Sequence, residues 1–122
     1  MKLDTRKEGL NSLYRPHAAK ILQHLWDTGA IYADGRSIKQ LHDWFNLNAS
    51  TFDLKTKSRS AITNALEEME RDGAIGHYEK QGQGGHRKMY YQAMSPLQFS
   101  IHVKEKLGDK VGEIFTGPWW KP

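Results

Sequence analysis

Three observations on this 122-residue chain predict a mainly helical α+β fold. Apolar residues recur at 3.6-residue spacing in three early segments. After Gly73 the pattern changes to that of two paired strands, and Ser95-Pro96 then opens a further helix. The length is one domain's worth, and folding at this size buries roughly two-thirds of the unfolded chain's surface.

The first helix starts at Pro16, since a helix's first turn has no use for the missing backbone donor. Ala18, Ile21, Leu22 and Leu25 stack on one face, and Gly29 stops the helix in the left-handed cap position. Gly35 sits in a turn. Ser37 then caps a second, short helix with Gln40 as its capping-box partner, and Ile38, Leu41 and Phe45 form the buried side. That helix is expected to end near Asn46. The third helix has Ser58 or Ser60 as its cap and Ile62, Ala65, Leu66 and Met69 as its apolar face, and Gly73 ends it.

Strands are expected over 74–81 and 88–93, with Tyr78, Tyr90 and Tyr91 among them. The polar segment between them, GQGGHR, reads as a flexible hairpin tip. The last helix combines cap Ser95, Pro96 at its first position, box partner Gln98 and a Met94–Phe99 staple. It is expected to run to about Phe115, ahead of Gly117-Pro118 and a WWKP tail. Three helices followed by a glycine-tipped hairpin make the winged helix-turn-helix arrangement, in which the third helix is offered to the DNA major groove. The division is therefore 1–94 for the winged-helix unit, with a short extension over 1–12, and 95–122 for a C-terminal helix and tail that form no separate domain.

Composition narrows the classes. Aromatic residues at 11% exceed what disordered chains carry, and 38% hydrophobic content suits a small domain with much exposed surface. Zero cysteines exclude a disulfide scaffold, a zinc ribbon and a thiol switch. No apolar run approaches the roughly 20 residues that span a bilayer. The opening MKLDTRKEGLNS lacks a signal peptide's apolar core, so a cytoplasmic location without membrane contact is expected.

The net charge of +4 sits in two places. Asp53 against Lys55, Lys57 and Arg59 leaves +2, and Glu79 against Lys80, Arg87 and Lys88 leaves the other +2. The third helix is basic and hydroxyl-rich at its start and acidic at its end, with Glu67, Glu68, Glu70 and Asp72. A helix arranged for its own dipole would have the reverse, so this one forgoes about 0.3–1 kcal/mol per charge. A recognition helix meets bases with its N-terminal residues, where backbone donors also favour phosphate. On this reading Arg59 is the base-reading candidate, followed by Ser58, Ser60, Thr63 and Asn64, while Lys55 and Lys57 touch phosphate. The hairpin contributes Lys80, Gln83, His86, Arg87 and Lys88, chemistry suited to phosphate or a narrow minor groove.

The stretch Ser58-Arg59-Ser60-Ala61-Ile62-Thr63-Asn64-Ala65-Leu66-Glu67-Glu68-Met69, continuing to Gly73-Ala74-Ile75, resembles the recognition helix and following strand of winged-helix repressors from bacteria and archaea. It is similar to the MarR and penicillinase-repressor types. Gly84-Gly85-His86-Arg87-Lys88-Met89-Tyr90-Tyr91 resembles their wings. The resemblance covers roughly residues 13–94 and is a diffuse pattern shared by many winged-helix families. It implies a homodimeric transcriptional repressor on a palindromic double-stranded operator, dimerising through terminal helices. One departure is the segment Asn46 to Lys57, longer than a three- or four-residue turn, which leaves room for an extra turn at Ser50 to Asp53.

Leu97, Ile101, Leu107, Val111, Ile114 and Phe115 form a broken apolar stripe longer than a small domain requires, and they are the dimerisation candidates. Enzyme readings are poor. The six histidines are scattered, there is no His-Glu-x-x-His, and no cysteine completes a metal site, so neither metal nor cofactor is expected. The expectation is therefore a DNA-binding repressor, with two rivals: a winged helix used as a protein-interaction module, and a replication or partition protein.

Overall fold

The apolar stripes of four helices meet in one core. The computed structural model describes residues 1–4, 6, 7, 9–82 and 85–108. Their order is a 3-10 turn (Gly9–Ser12), α1 (Pro16–Asp27), β1 (Arg36–Ser37), α2 (Ile38–Asn48), α3 (Arg59–Arg71), β2 (Ile75–Gly82), β3 (Gly85–Gln92) and α4 (Pro96–Leu107). Ile21, Leu22 and Leu25 of α1 are fully buried with Leu41 and Phe45 of α2, Ile62, Leu66 and Met69 of α3, and Phe99 and Val103 of α4. Each such side chain stabilises the fold by about 1.5–3 kcal/mol through its removal from water.

The caps are local and follow the sequence. Ser37 with Gln40 and Ser95 with Gln98 both form complete capping boxes. Ser58 rather than Ser60 caps α3, accepting from the Ala61 N–H at 3.2 Å. Past α3 the chain turns through Gly73 at φ 82°, a conformation costly for any residue with a Cβ.

The sheet departs from expectation in two ways. It is antiparallel and three-stranded, in the order β1-β3-β2, because Arg36 and Ser37 pair with Tyr90 and Met89. A two-residue strand leaves no periodicity to read. The β2–β3 ladder also continues to Gly82 and Gly85, so Gly85, His86 and Arg87 belong to a strand rather than to a loose tip. Ladder bonds are made by the backbone and need no side chain, so a polar, glycine-rich stretch can still pair as a strand.

Two helix ends differ from the reading, and the N-terminal segment adds to the core. Leu10, Leu13 and Tyr14 are buried, and Met1 and Leu3 pack against the core. α2 runs two residues past Asn46 and is followed by the extra turn, held by backbone bonds from Phe52 to Asn48 and Asp53 to Ser50. α4 ends at Leu107, short of Phe115, with Gly108 at φ 79°. Val111, Ile114, Phe115 and the Trp119-Trp120 pair lie outside the described residues, as does Gln83. Among the described residues no helix is long and apolar enough to cross a membrane.

Candidate nucleic-acid interface

Two short segments aim α3. The first is the α2–α3 connection, where Asn46 grips the backbone of Lys57 from both sides. Its Oδ1 accepts from the Lys57 N–H at 2.8 Å, and its Nδ2 donates to the Lys57 carbonyl at 2.9 Å. This clamp fixes the residue immediately before the Ser58 cap. The second is β1, whose pairing with β3 ties the start of α2 to the hairpin.

The consequence is a cleft of about 410 Å³ lined by Ser37, Ile38, Lys39, Arg59, His86, Arg87 and Lys88. It brings together the first residue of α3, the start of α2 and the strand β3, and among the described residues no carboxylate lines it. Neither α2 nor α3 has an acid in its first turn. Two neighbouring acids temper the charge. Asp43 pairs with Lys39 at 3.1 Å, and Glu79 lies 3.9 Å from His86. Both are exposed pairs that screen weakly in water.

A second cleft, about 390 Å³, lies on the other flank of α3. Arg15, His17, Lys57, Asn64 and Arg71 line it, together with Glu67 and Glu68. His17 is buried, and its imidazole is held below its usual range, first by burial and then by the charges of Lys57 and Arg15, opposed by a hydrogen bond to the Ala61 backbone. This ring therefore senses a positive field at the start of α3.

The sequence-predicted residues thus divide. Arg59, His86, Arg87 and Lys88 meet in the first cleft, while Lys57 and Asn64 line the second. Ser60 is exposed and Thr63 half-buried, one turn apart on the helix, and Lys55 is exposed in the preceding loop. Ser58 has a structural duty, since its hydroxyl is the α3 cap. Lys80 is exposed on β2, and by register it faces away from the α-helices. Leu97 and Ile101 of α4 are 62% and 52% exposed, whereas Leu107 packs against the domain's own core.

Sequence reasoning missed Lys39, Arg15 and Asn46. Lys39 lies inside the Ser37–Gln40 capping box, so the start of α2 was available as a signal. Arg15 and Asn46 matter only through contacts distant in the chain. Among the described residues no group of three or more His, Asp or Glu is placed to hold a metal ion.

Chemically, α3 lies between two cation-lined clefts with Arg59, Ser60 and Asn64 along its open N-terminal half. This geometry suits a polyanion whose charges fall on both flanks of the helix. Compared with models of known families, with characterised proteins and with solved structures, the chain matches none.

Proposed function

We propose that this chain is a winged-helix protein that binds double-stranded DNA as a homodimer and represses transcription. The observation that carries the reading is the cleft joining Arg59 of α3, Lys39 of α2 and His86, Arg87 and Lys88 of the hairpin, with no acid among its described lining residues. A recognition helix in the major groove would place Arg59 at base edges, with Ser60, Thr63 and Asn64 behind it. Lys39 and the hairpin cations would meet the sugar-phosphate backbone on one side, and Lys57 and Arg15 would meet it on the other.

Self-association rests on the exposed Leu97 and Ile101, one helical turn apart on α4. A second copy would cover them and present half-sites about 34 Å apart on a palindromic operator. Nothing in this reading uses catalysis, metal or cofactor.

The test is fluorescence anisotropy with a mixed-sequence duplex of about 30 base pairs across several salt concentrations. A dimer that neutralises roughly six to ten phosphates gives a slope of log affinity on log salt of about −5 to −9. Lys57→Ala should flatten that slope by about 1 per protomer and weaken all duplexes alike. No binding at low salt would remove the proposal, and the exposed face of α4 would then point to a protein partner.

A further inference from the structure

The face of the sheet turned away from the α-helices carries chemistry that the duplex reading leaves unused. Ladder register places Gly76, Tyr78, Lys80 and Gly82 of β2 on one face with Tyr91, Met89, Arg87 and Gly85 of β3. Tyr90 on the opposite face is buried in the core, so this set looks outward. No acidic residue belongs to it.

Three tyrosines cluster there. Tyr32, from the α1–β1 loop, lies 5.2 Å from the Tyr78 ring and 5.5 Å from the Tyr91 ring, edge-on to the latter at 88°. Tyr78 and Tyr91 are 6.0 Å apart. Two features hold this arrangement. The Tyr78 hydroxyl accepts from the Gly35 N–H at 2.9 Å. Gly76, with no side chain, lets the Tyr91 ring lie across the strand, since a Cβ there would come within 2.8 Å of its Cζ and Oη. Tyr32 itself remains 67% exposed, a large aromatic ring in water on a rigid base.

Two residues further along the same face, about 6.6 Å by strand rise, Lys80 and Arg87 stand directly opposite each other. Like charges at opposed positions destabilise a ladder. Neither residue is in an ion pair among the described residues. On the helix side of the same hairpin the matching pair is Glu79 with Lys88, of opposite sign. The repulsion is therefore confined to the outer face, beside the rings. Arg87 also lines the mouth of the first cleft, so its side chain stands at the rim between the two surfaces.

An exposed aromatic ring braced by two half-buried ones, beside cations without ion-pair partners among the described residues, supplies the two components of a surface for unpaired nucleic acid. Bases stack on the rings regardless of sequence, and the cations take the backbone phosphates. We propose that this outer face binds single-stranded nucleic acid, with a base stacked on the exposed ring of Tyr32 and the adjoining phosphates held by Lys80 and Arg87. The surface shares Arg87 with the rim of the first α3 cleft, and its tyrosines and Lys80 go beyond the duplex reading.

The experiment is anisotropy of the full chain with a labelled thymidine 15-mer, run beside the duplex of about 30 base pairs. Unmodified protein should bind the single strand. Tyr32→Ala should weaken that binding on the order of tenfold, within the 5- to 150-fold that loss of one stacked base implies. Duplex affinity should stay within about twofold. Tyr32→Phe, which keeps the ring and loses only the hydroxyl, should restore the single-strand affinity. Lys80→Gln should flatten the single-strand salt slope by about 0.7.

Three results would each overturn the proposal: no single-strand binding by the unmodified protein, equal losses of Tyr32→Ala on both probes, or failure of Tyr32→Phe to rescue. A shift of Tyr32→Ala in sedimentation mass would overturn it as well, by identifying the tyrosines as a self-contact. Loss of duplex binding alone, with the single strand retained, removes the repressor reading and leaves this one standing.

Discussion

The two ends of α3 use their charges differently. At the C-terminal end three of the acids, Glu68, Glu70 and Asp72, are engaged within the protein. Glu70 bonds His77 of β2, Asp72 accepts from the Tyr14 hydroxyl at 2.8 Å and pairs with the Met1 amino group at 2.9 Å, and Glu68 lies 3.9 Å from that amine. Tyr14's phenol is pushed above its usual range by burial and by Asp72 beside it. At the N-terminal end Arg59, Ser60 and Asn64 are exposed, and none makes an ion pair among the described residues. One helix thus divides its labour. Its acidic end holds the N-terminal segment and the sheet in place, while its basic end keeps its charges for something outside the protein.

Substitutions at each end can break that comparison. The largest effect belongs to the shared back of the helix, where Leu66→Ala should cost about 2–5 kcal/mol of stability, read by chemical denaturation. Both ends fail together there, which sets the scale for the rest. Asp72→Ala removes the partner of Tyr14 and of the Met1 amine, and should cost about 1–3 kcal/mol in the same assay. Duplex affinity of the folded fraction should be unchanged. A loss of binding comparable to the loss of stability would refute the division.

Arg59→Ala is the mirror experiment. It should cost about 1–3 kcal/mol of binding and relax specificity at one base position. Its stability should move by no more than about 0.5 kcal/mol, since the side chain is exposed. Equal losses on specific and random DNA would remove its base-reading role.

The smallest effect is in pH. His17 and His24 are both held below the ordinary histidine value of 6.5, chiefly by burial, aided by Lys57 at the first and Arg36 at the second. Folded molecules therefore resist protonation that the unfolded chain accepts near pH 6.5. Their contribution to stability is complete above that value and is lost as the pH falls below it, so the melting temperature should drop from pH 7 to 5. His17→Gln should remove part of that slope. A polyanion beside Lys57 would offset the field on His17, so adding duplex should raise this imidazole's pKa, as followed by NMR titration. An unmoved His17 with a bound duplex would place the DNA elsewhere.

Much of this was legible in the residues, and what was not has a common cause. Caps and periods act within a turn or two of chain, so Ser37-Gln40, Ser95-Gln98 and the α3 stripe could be read without knowing their neighbours. The charge asymmetry of α3 was equally visible. Contacts between distant segments were not. Asn46 carries no signal of its grip on Lys57, eleven residues on, and Arg36-Ser37 is too short to show a strand. The α4 stripe was read as a single surface, yet Leu97 and Ile101 face outward while Leu107 turns to the core.

The sequence by itself determined the helices, the hairpin and the sign of charge at each end of α3, because hydrogen-bonding caps and apolar spacing are local properties. Only the tertiary structure decided where those charges point. Lys57 and Arg59 are two residues apart, but the Asn46 clamp and the Ser58 cap start the helix between them and send them to opposite flanks. Packing of α3 against α1 and the sheet then left its basic start open and brought Glu68, Glu70 and Asp72 at its acidic end to partners on other segments. Close packing has to bury the side of the helix that completes the core, and residues far along the chain set that side.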